Sequence, residues 1–484
     1  MKTIAIIGGG FSGTLVAVNL ARLGESAFRV ALVNRGRPLA RGIAYSTKRP
    51  EHLLNVVARN MSALADHPDH FLDWLRTRHE FADLAESSLR EAFIPRRVYG
   101  DYLRSLLQTY AQPVHGSAQA RIELIDDEAV DAQVAEDGAA MVVLAQGDIV
   151  AADRIVLATG NAAPAAFATA DGAAFEHPRY APLPWDDWET RLPGRHEDIV
   201  LLGAGLTTVD AFLTLSALDW QGTIFAVSRN GWLPQSHFRG IEYPGFPPQD
   251  PTTVGLAQLV AMLESHCERL RNLGANPAIV VDKLRAHTQR IWQSFSLEER
   301  REFLARYAAR WNVSRHRIPS EIHRRLTTAI EDRRVQIVKG RIIGLEPSGS
   351  RIRVVVADDS GARLHLEGGF VVNCTGPNAS FSQSAGPLYR NLLARGVVAC
   401  DELDMGLRVN ADLIPLDQRG APSQFLSALG PPLRGALWET TAVPELRAQA
   451  FQIAKRLITE LELAGRGLEH WPAQADFELL EYCI

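Results

Sequence analysis

The sequence predicts an α/β fold with two Rossmann-like units, β-meanders and a helical insertion. Two stretches, "IAIIGGGFSG" at the N-terminus and "VLLGAGLTTVD" in the middle, each place a glycine turn between an apolar strand and a helical pattern. A third observation is the mostly helical, arginine-rich pattern over 251–332. With 484 residues, the chain has room for roughly three domain-sized units.

Composition narrows the class of protein. The chain is 46% apolar and 22% charged, as is ordinary for a soluble globular enzyme, and its net charge of −5 argues against nucleic-acid binding. The four cysteines form no C-x-x-C pair, so neither a disulfide scaffold nor a dithiol centre is expected, and we predict a reducing, cytoplasmic compartment. No apolar run is long enough for a membrane helix, and no cluster suggests a metal site. Self-association is left open.

The order of the patterns predicts one interrupted domain and one inserted domain. Residues 1–185 form the first part of the interrupted domain, and 336–484 form its second part with a C-terminal helix. Residues 195–335 form the inserted domain, which carries the helical insertion 251–332. Alternating segments, "ARIELIDDEAV…GDIV" and "VQIVKGRIIGLEPSGSRIRVVVADD", predict antiparallel meanders.

The first glycine turn has the spacing of a dinucleotide fingerprint. Gly8 suits the tight turn, Gly10 the close approach of backbone to a pyrophosphate, and Gly13 the packing of helix on strand. Phe11 and Ser12 then begin the helix, whose free N–H groups and positive dipole end favour phosphate. A glycine turn in an unrelated α/β sheet is the alternative.

Asn34 ends the next strand, where such units usually carry an acid that binds ribose hydroxyls. Its side-chain carbonyl can accept one such bond without charge. Arg35 beside it could instead pair with a 2′-phosphate. This fingerprint alone therefore does not decide between nucleotides.

The second glycine turn is degenerate, with Gly203 and Gly205 followed by Thr208 in the third glycine position. Leu206 and Thr207 begin its helix, so their N–H groups would face a phosphate. The next strand ends in "AVSRNG", which puts Ser228 and Arg229 where an NAD site would place an acid.

A hydroxyl and a guanidinium at this point suit a phosphate dianion, which predicts NADPH in the second unit and leaves FAD for the first. A solvated Ser-Arg pair at a strand end is the alternative. "VLATG" and "VVNCTGP" are buried strands that end in Thr-Gly, and they support nucleotide binding.

Taken together, these motifs resemble a known family. "RGIAYSTKRPEHLLNVVARNMSAL", "FIPRRVYGDYL", "GLTTVD", "SRNGWLPQSH", "WNVSRHRIP", "CTGP" and "LWETTAVPELRAQA" are similar to segments of the bacterial FAD-NAD(P)-binding family of two-dinucleotide-binding-domain flavoproteins. Characterised members of that family include flavin-dependent N-hydroxylases of amino acids. The resemblance runs through nearly the whole chain.

The resemblance implies a set of residues around FAD. A loop over 42–62 would wrap the flavin, and the N-terminus of the last helix would face its O2 edge. The implied residues are Gly8, Gly10, Phe11, Ser12, Gly13, Asn34, Tyr45, Asn55, Met61, Ala158, Thr159, Gly160, Gly376, Thr440, Thr441 and Ala442.

The resemblance also implies a monooxygenase, which uses FAD, NADPH and O2 to N-hydroxylate a small amine or amino acid through a flavin C4a-hydroperoxide. The alternatives are a flavin reductase that passes NADPH electrons to a quinone or protein acceptor, and a non-catalytic nucleotide sensor. His237 could contact the nicotinamide or be structural. Arg315 and Arg317 could bind a substrate carboxylate or the NADPH phosphate, or belong to a solvated basic helix face.

Overall fold

The computed structural model describes residues 1–24, 28–36, 38–111, 120–134, 139–168, 173–238, 243–247 and 249–465. The end of the predicted range 336–484, from 466 on, lies outside these residues.

The described strands fall into two parallel sheets and two antiparallel sheets. They are β1 (Lys2–Ile7), β2 (Phe28–Val33), β3 (Arg121–Ile125), β4 (Ala129–Val134), β5 (Ala140–Leu144), β6 (Ile149–Ala152), β7 (Arg154–Leu157), β8 (Tyr180–Ala181), β9 (Ile199–Leu202), β10 (Ile224–Ser228), β11 (Val335–Lys339), β12 (Arg341–Ser348), β13 (Arg351–Ala357), β14 (Arg363–Gly368), β15 (Phe370–Asn373) and β16 (Leu426–Ala428).

The described α-helices lie mainly against the parallel sheets and in the insertion. They are α1 (Phe11–Leu23), α2 (Gly42–Tyr45), α3 (His70–Arg76), α4 (Glu86–Arg90), α5 (Arg96–Ala111), α6 (Leu206–Ala217), α7 (Leu256–Asn272), α8 (Ala278–Leu284), α9 (Thr288–Ser294), α10 (Leu297–Glu302), α11 (Ala308–Arg315), α12 (Ser320–Glu331), α13 (Phe381–Ser384), α14 (Pro387–Ala394), α15 (Arg434–Leu437) and α16 (Val443–Gly465).

The first parallel sheet has the order β16-β7-β1-β2-β3. The predicted βαβ unit is confirmed, since β1 pairs in parallel with β2 and α1 connects them. Helix α1 is buried on nearly all sides because it lies between this sheet, α5 and α16. The last described helix, α16, therefore packs directly on the first, α1.

The second parallel sheet has the order β11-β10-β9-β15-β8. The unit β9-α6-β10 forms its centre, as the second glycine turn predicts. Strands β8 and β15 lie outside the predicted range 195–335, so this sheet draws on chain from both predicted parts of the first domain.

The two predicted meanders are correct only in part. Strands β4-β5-β6 and β12-β13-β14 are antiparallel, but the first segment of each prediction became an edge strand of a parallel sheet. The physical reason is that an edge strand is buried on one face only, so β3 and β11 show the same alternation as a meander strand.

Helices α7 to α12 follow β10 and return the chain to β11, over the range predicted as the helical insertion. None of the described helices combines the length and apolar character needed to cross a bilayer.

Candidate functional site

A cavity of about 550 Å³ opens at the carboxyl end of the first sheet. Ligands of open α/β sheets bind at this end, beyond the strand termini. Many of the residues predicted for FAD line it: Gly8, Gly10, Phe11, Ser12, Asn34, Tyr45, Ala158, Thr159, Gly160 and Thr441.

The glycine turn beside this cavity leaves no room for side chains. Gly8 has a φ of 108°, and a Cβ there would lie 2.3 Å from the carbonyl oxygen of Ala158. A Cβ on Gly13 would lie 1.9 Å from the carbonyl oxygen of Gly8. Gly10 precedes α1 and gives it no side-chain cap, so the first N–H groups of the helix point at the cavity. This geometry fits the pyrophosphate of a dinucleotide.

The carbonyl oxygen Oδ1 of Asn34 accepts a hydrogen bond from the backbone N–H of Gly9 at 3.0 Å. Asn34 therefore fixes the glycine turn from the end of β2. Gly9 lines the cavity as well, although the fingerprint treats its position as variable.

Two tyrosines line the cavity, the buried Tyr389 and the partly buried Tyr45. The Thr159 hydroxyl and the Tyr389 hydroxyl are 2.8 Å apart, and burial raises the pKa of Tyr389, which keeps it protonated. Burial likewise raises the pKa of Tyr45 to about 12, against an opposing effect of Arg96. The Tyr45 ring stands edge-on to that of Tyr99, with centroids 4.7 Å apart.

Helix α16 begins at the same cavity. Thr441 is exposed and lines the cavity just before α16. Thr440 is fully buried, donates to the Gly430 carbonyl at 3.1 Å and accepts from the Gln449 amide at 2.9 Å. Ala442 accepts the N–H of Leu446 through its carbonyl. Thr440 thus holds the turn that presents Thr441.

The loop over 42–62 divides its predicted residues among different surroundings. Tyr45 lines the cavity, whereas Met61 is buried and accepts the Tyr99 hydroxyl through its carbonyl at 2.8 Å. The Asn55 carbonyl accepts a hydrogen bond from Nε2 of His237 at 2.8 Å. Two predicted residues therefore meet where the loop contacts the second fold, which is the part of the chain built around the second parallel sheet. Burial lowers the pKa of His237, which keeps this imidazole neutral.

The second glycine turn repeats the geometry of the first. Gly203 has a φ of 127°, and a Cβ there would lie 2.5 Å from the Cys374 carbonyl oxygen. Gly205 precedes α6 without a side-chain cap, and it is exposed beside the partly exposed Leu206 and Thr207. The second fold therefore offers another open helix N-terminus.

The equivalence extends to Gly376, which follows β15 with a φ of 83°, as Gly160 follows β7 with a φ of 75°. "CTGP" is thus the second-fold counterpart of "ATG". Gly376 does not line the first cavity, although its neighbour Pro377 does.

Ser228 and Arg229 close β10 at this second site. The Ser228 hydroxyl accepts from the Gly231 N–H at 3.1 Å and stays half-buried. Arg229 is exposed and forms no ion pair within the part of the chain that the structure describes. Its guanidinium is therefore available to an anion at the strand end.

The two predicted substrate arginines differ in what they contact. Arg317 donates two hydrogen bonds to Asp282, at 2.7 and 2.6 Å, and stacks over Phe238. Arg315 is 9% exposed and lies 3.5 Å from Glu439, and its Nε and Nη2 atoms are buried without a hydrogen-bond partner.

Sequence reasoning missed most of the cluster around Arg315. Arg285 also has buried Nε and Nη2 atoms without hydrogen bonds, and it lies 3.6 Å from Glu445 at the start of α16. Burial, with Arg315 beside it, lowers the pKa of His316 to about 3. Within the sequence, only the stretch "WNVSRHRIP" indicates this charged cluster, because Arg285 and the glutamates come from distant segments. No group of metal ligands occurs among the described residues.

Two parallel sheets with equivalent glycine turns define the class: an α/β fold with two dinucleotide-binding units, as flavoenzymes have. Residues 5–162 match the model of the FAD-NAD(P)-binding family, which confirms the predicted resemblance for this part of the chain. No curated protein gives a significant match.

Solved structures extend the fold assignment to nearly the whole chain. Ornithine N-hydroxylase of Kutzneria sp. 744 is similar with a TM-score of 0.66 and 14% identity, over 95% of this chain and 99% of that one. L-lysine 6-monooxygenase of Pseudomonas syringae gives 0.64 and 17%, over 96% and 99%. Bacillithiol disulfide reductase of Staphylococcus aureus gives 0.52 and 12%, over 95% and 99%. At sequence identities this low, the likeness to these structures shows the fold alone.

Proposed function

We propose that this protein is an FAD- and NADPH-dependent monooxygenase that N-hydroxylates a small amine or amino acid with O2. The observation that carries the proposal is the first cavity, where the N-termini of α1 and α16 meet within a fold shared with amino-acid N-hydroxylases. The structure of the Kutzneria enzyme contains reduced FAD, NADP⁺ and L-ornithine.

FAD occupies the first cavity in this proposal and supplies the redox and oxygen chemistry when bound. The glycine turn and the N-terminus of α1 hold its pyrophosphate, with Asn34 fixing the turn through Gly9. Thr441 and the N-terminus of α16 would hold the flavin ring, and the positive dipole end there would favour negative charge on the reduced ring.

NADPH occupies the second fold, with its pyrophosphate at the N-terminus of α6. Arg229 binds the 2′-phosphate, because it is exposed and has no ion pair among the described residues. His237 anchors the flavin-side loop to this fold through the Asn55 carbonyl, and its neutral imidazole acts as a positioning group.

The substrate carboxylate binds at Arg315 rather than at Arg317. A buried guanidinium donor without a partner is costly, so a group that accepts from Nε of Arg315, beside the Nη2 that pairs with Glu439, would be stabilising. Arg317 also has a buried Nε without a hydrogen bond, but its pair with Asp282 at 2.6 Å is tighter than the 3.5 Å pair of Arg315 with Glu439. We place the enzyme in a reducing cytoplasm, in keeping with the free cysteines Cys267, Cys374 and Cys400.

The deciding experiment is spectroscopic. Purified protein should show the visible absorbance of FAD, should bleach with NADPH under anaerobic conditions and should consume O2 on reoxidation. NADPH oxidation that an amine accelerates, with a hydroxylamine or nitroso product detected by mass spectrometry, would support the proposal. Rapid reduction of a quinone with no oxygenated amine would favour an electron-transfer oxidoreductase instead.

A further inference from the structure

A second and larger cavity, of about 1250 Å³, lies inside the helical insertion. Helices α7, α8, α9 and α11 form most of its wall. Four of the nine tryptophans of the chain line it: Trp232, Trp292, Trp311 and Trp438. Most of its lining is apolar or aromatic, as in small-molecule pockets, and Glu264, Glu268, Arg271 and Arg310 add charged groups.

The aromatic walls are fixed in position. The rings of Trp292 and Trp438 stack with centroids 5.2 Å apart, and Phe303 stands edge-on to Trp438 at 5.2 Å. The Trp292 indole N–H donates to the Gly435 carbonyl at 2.7 Å, and that of Trp311 donates to Glu439 at 3.2 Å. Trp292 and Trp438 are almost fully buried and fix this wall from behind, whereas Trp311 and Phe303 are partly exposed and offer apolar surface to a ligand.

Two irregular backbone segments meet at this wall. Residues Phe303–Tyr307 form a π-helical turn, and both Phe303 and Tyr307 line the cavity. Trp438 has a positive φ of 57°, which a bulky side chain rarely adopts. Such irregularities are concentrated at functional sites, so they favour a ligand site over a simple hydrophobic core.

The cavity borders the proposed flavin site. Arg434 lines the first cavity, and its guanidinium carbon lies 5.2 Å from the centroid of Trp438, which lines the second. Three residues after Trp438, Thr441 lines the first cavity again. Gln235 adds a polar side chain to the lining of the second cavity, and its Oε1 is buried without a hydrogen-bond partner.

We propose that the second cavity holds the aromatic body of the substrate, so that the substrate is an aromatic amine or aromatic amino acid. An aromatic ring would pack against the partly exposed Trp311, Phe303 and Tyr307 and bury their remaining apolar surface. Gln235 would accept an N–H of the ligand. A small side chain would leave the partly exposed aromatic surface of these walls hydrated. The inference rests on the proposed function.

The test is calorimetric titration of the FAD-loaded protein with L-tryptophan and L-phenylalanine, compared with L-aspartate and L-ornithine. We expect the aromatic amino acids to bind at least tenfold more tightly. Leu263→Trp, which fills the cavity from α7, should weaken L-tryptophan binding at least tenfold. Trp232→Ala should weaken it about threefold or more, and this side chain is 45% exposed, so the variant should fold normally. Leu273→Ala is the matched control, since Leu273 is 70% exposed and does not line the cavity.

Tighter binding of L-aspartate or L-ornithine, or unchanged L-tryptophan binding in folded Trp232→Ala and Leu263→Trp, would overturn the inference. The proposed function is tested separately, by product analysis. Aromatic binding at this cavity without any oxygenated product would leave the inference standing and reject the monooxygenase. Oxygenation of a small amino acid with no binding of aromatic amino acids would support the monooxygenase and reject the inference about the second cavity.

Discussion

Asn34 and Gly9 are joined by a hydrogen bond of 3.0 Å between the Asn34 side-chain carbonyl and the Gly9 N–H. The asparagine stands where dinucleotide units usually carry an acid that binds ribose. Here its carbonyl holds the turn beside the phosphate site, so the residue acts on the nucleotide through the shape of that turn.

Asn34→Leu should therefore weaken FAD binding. Loss of one such hydrogen bond costs about 0.5–1.5 kcal/mol, which corresponds to roughly a 2- to 13-fold larger Kd. Asn34→Asp keeps an acceptor for the Gly9 N–H and should remain within about threefold of the natural protein. Fluorescence titration of the apoprotein with FAD measures both, and equal Kd values for Asn34→Leu and the natural protein would contradict the role.

Gly13 offers a prediction about the packing of α1 on β1. A Cβ at this position would lie 1.9 Å from the Gly8 carbonyl oxygen, so Gly13→Ala must displace the turn. We expect a loss of about 1–3 kcal/mol of stability and a lower FAD content in the purified protein. Gly194→Ala is the control, because nothing lies within 4 Å of its Cβ. Thermal unfolding and the ratio of visible to ultraviolet absorbance give the two readouts, and the idea fails if both variants match the natural protein.

Arg229 tests the choice of nicotinamide cofactor. Arg229→Ala should raise the KM for NADPH about tenfold or more, because a charge-assisted contact to the 2′-phosphate is worth about 1.5–3 kcal/mol. The KM for NADH should change less than twofold, since NADH lacks that phosphate. The exposed Arg195, near Asp219, gives a control variant, Arg195→Ala. An equal rise for both cofactors would reject the assignment.

The parts of the fold that could be predicted are those with a local cause. The two glycine turns can be predicted from Gly8 and Gly203 because only glycine fits the backbone at these positions. "CTGP" was grouped with the flavin site, yet β15 pairs with β9, so the motif serves the second turn as "ATG" serves the first. Strands β7 and β15 have similar sequences, and only the strands with which they pair show which sheet each belongs to.

The charged cluster could not be predicted for a different reason. The cluster combines Arg285 from the link between α8 and α9, Arg315 from the end of α11 and Glu439 from the segment before α16. No local sequence pattern joins these three segments. Their meeting depends on how the helical insertion packs against the last helix. The aromatic cavity has the same origin, since Trp438 and Trp292 lie far apart in the chain.

His316 gives a prediction about acid stability. Burial and the neighbouring Arg315, Arg434 and Arg285 lower its pKa from 6.5 to about 3. Below about pH 6.5, His316 is therefore protonated in the unfolded chain but stays neutral in the folded protein. The stability of the folded protein falls as the pH drops from 6.5 towards 3. Between pH 7.5 and 5.5 this one group accounts for about 1.4 kcal/mol of the loss.

His316→Gln removes the titrating group, so its unfolding free energy should fall by about 1.4 kcal/mol less than that of the natural protein over the same pH interval. Urea unfolding followed by tryptophan fluorescence at pH 7.5 and 5.5 measures the difference. His79→Gln, at an exposed position, should leave the pH dependence unchanged. If His316→Gln loses as much stability on acidification as the natural protein does, His316 is already charged in the folded state and the cluster around it carries compensating negative charge.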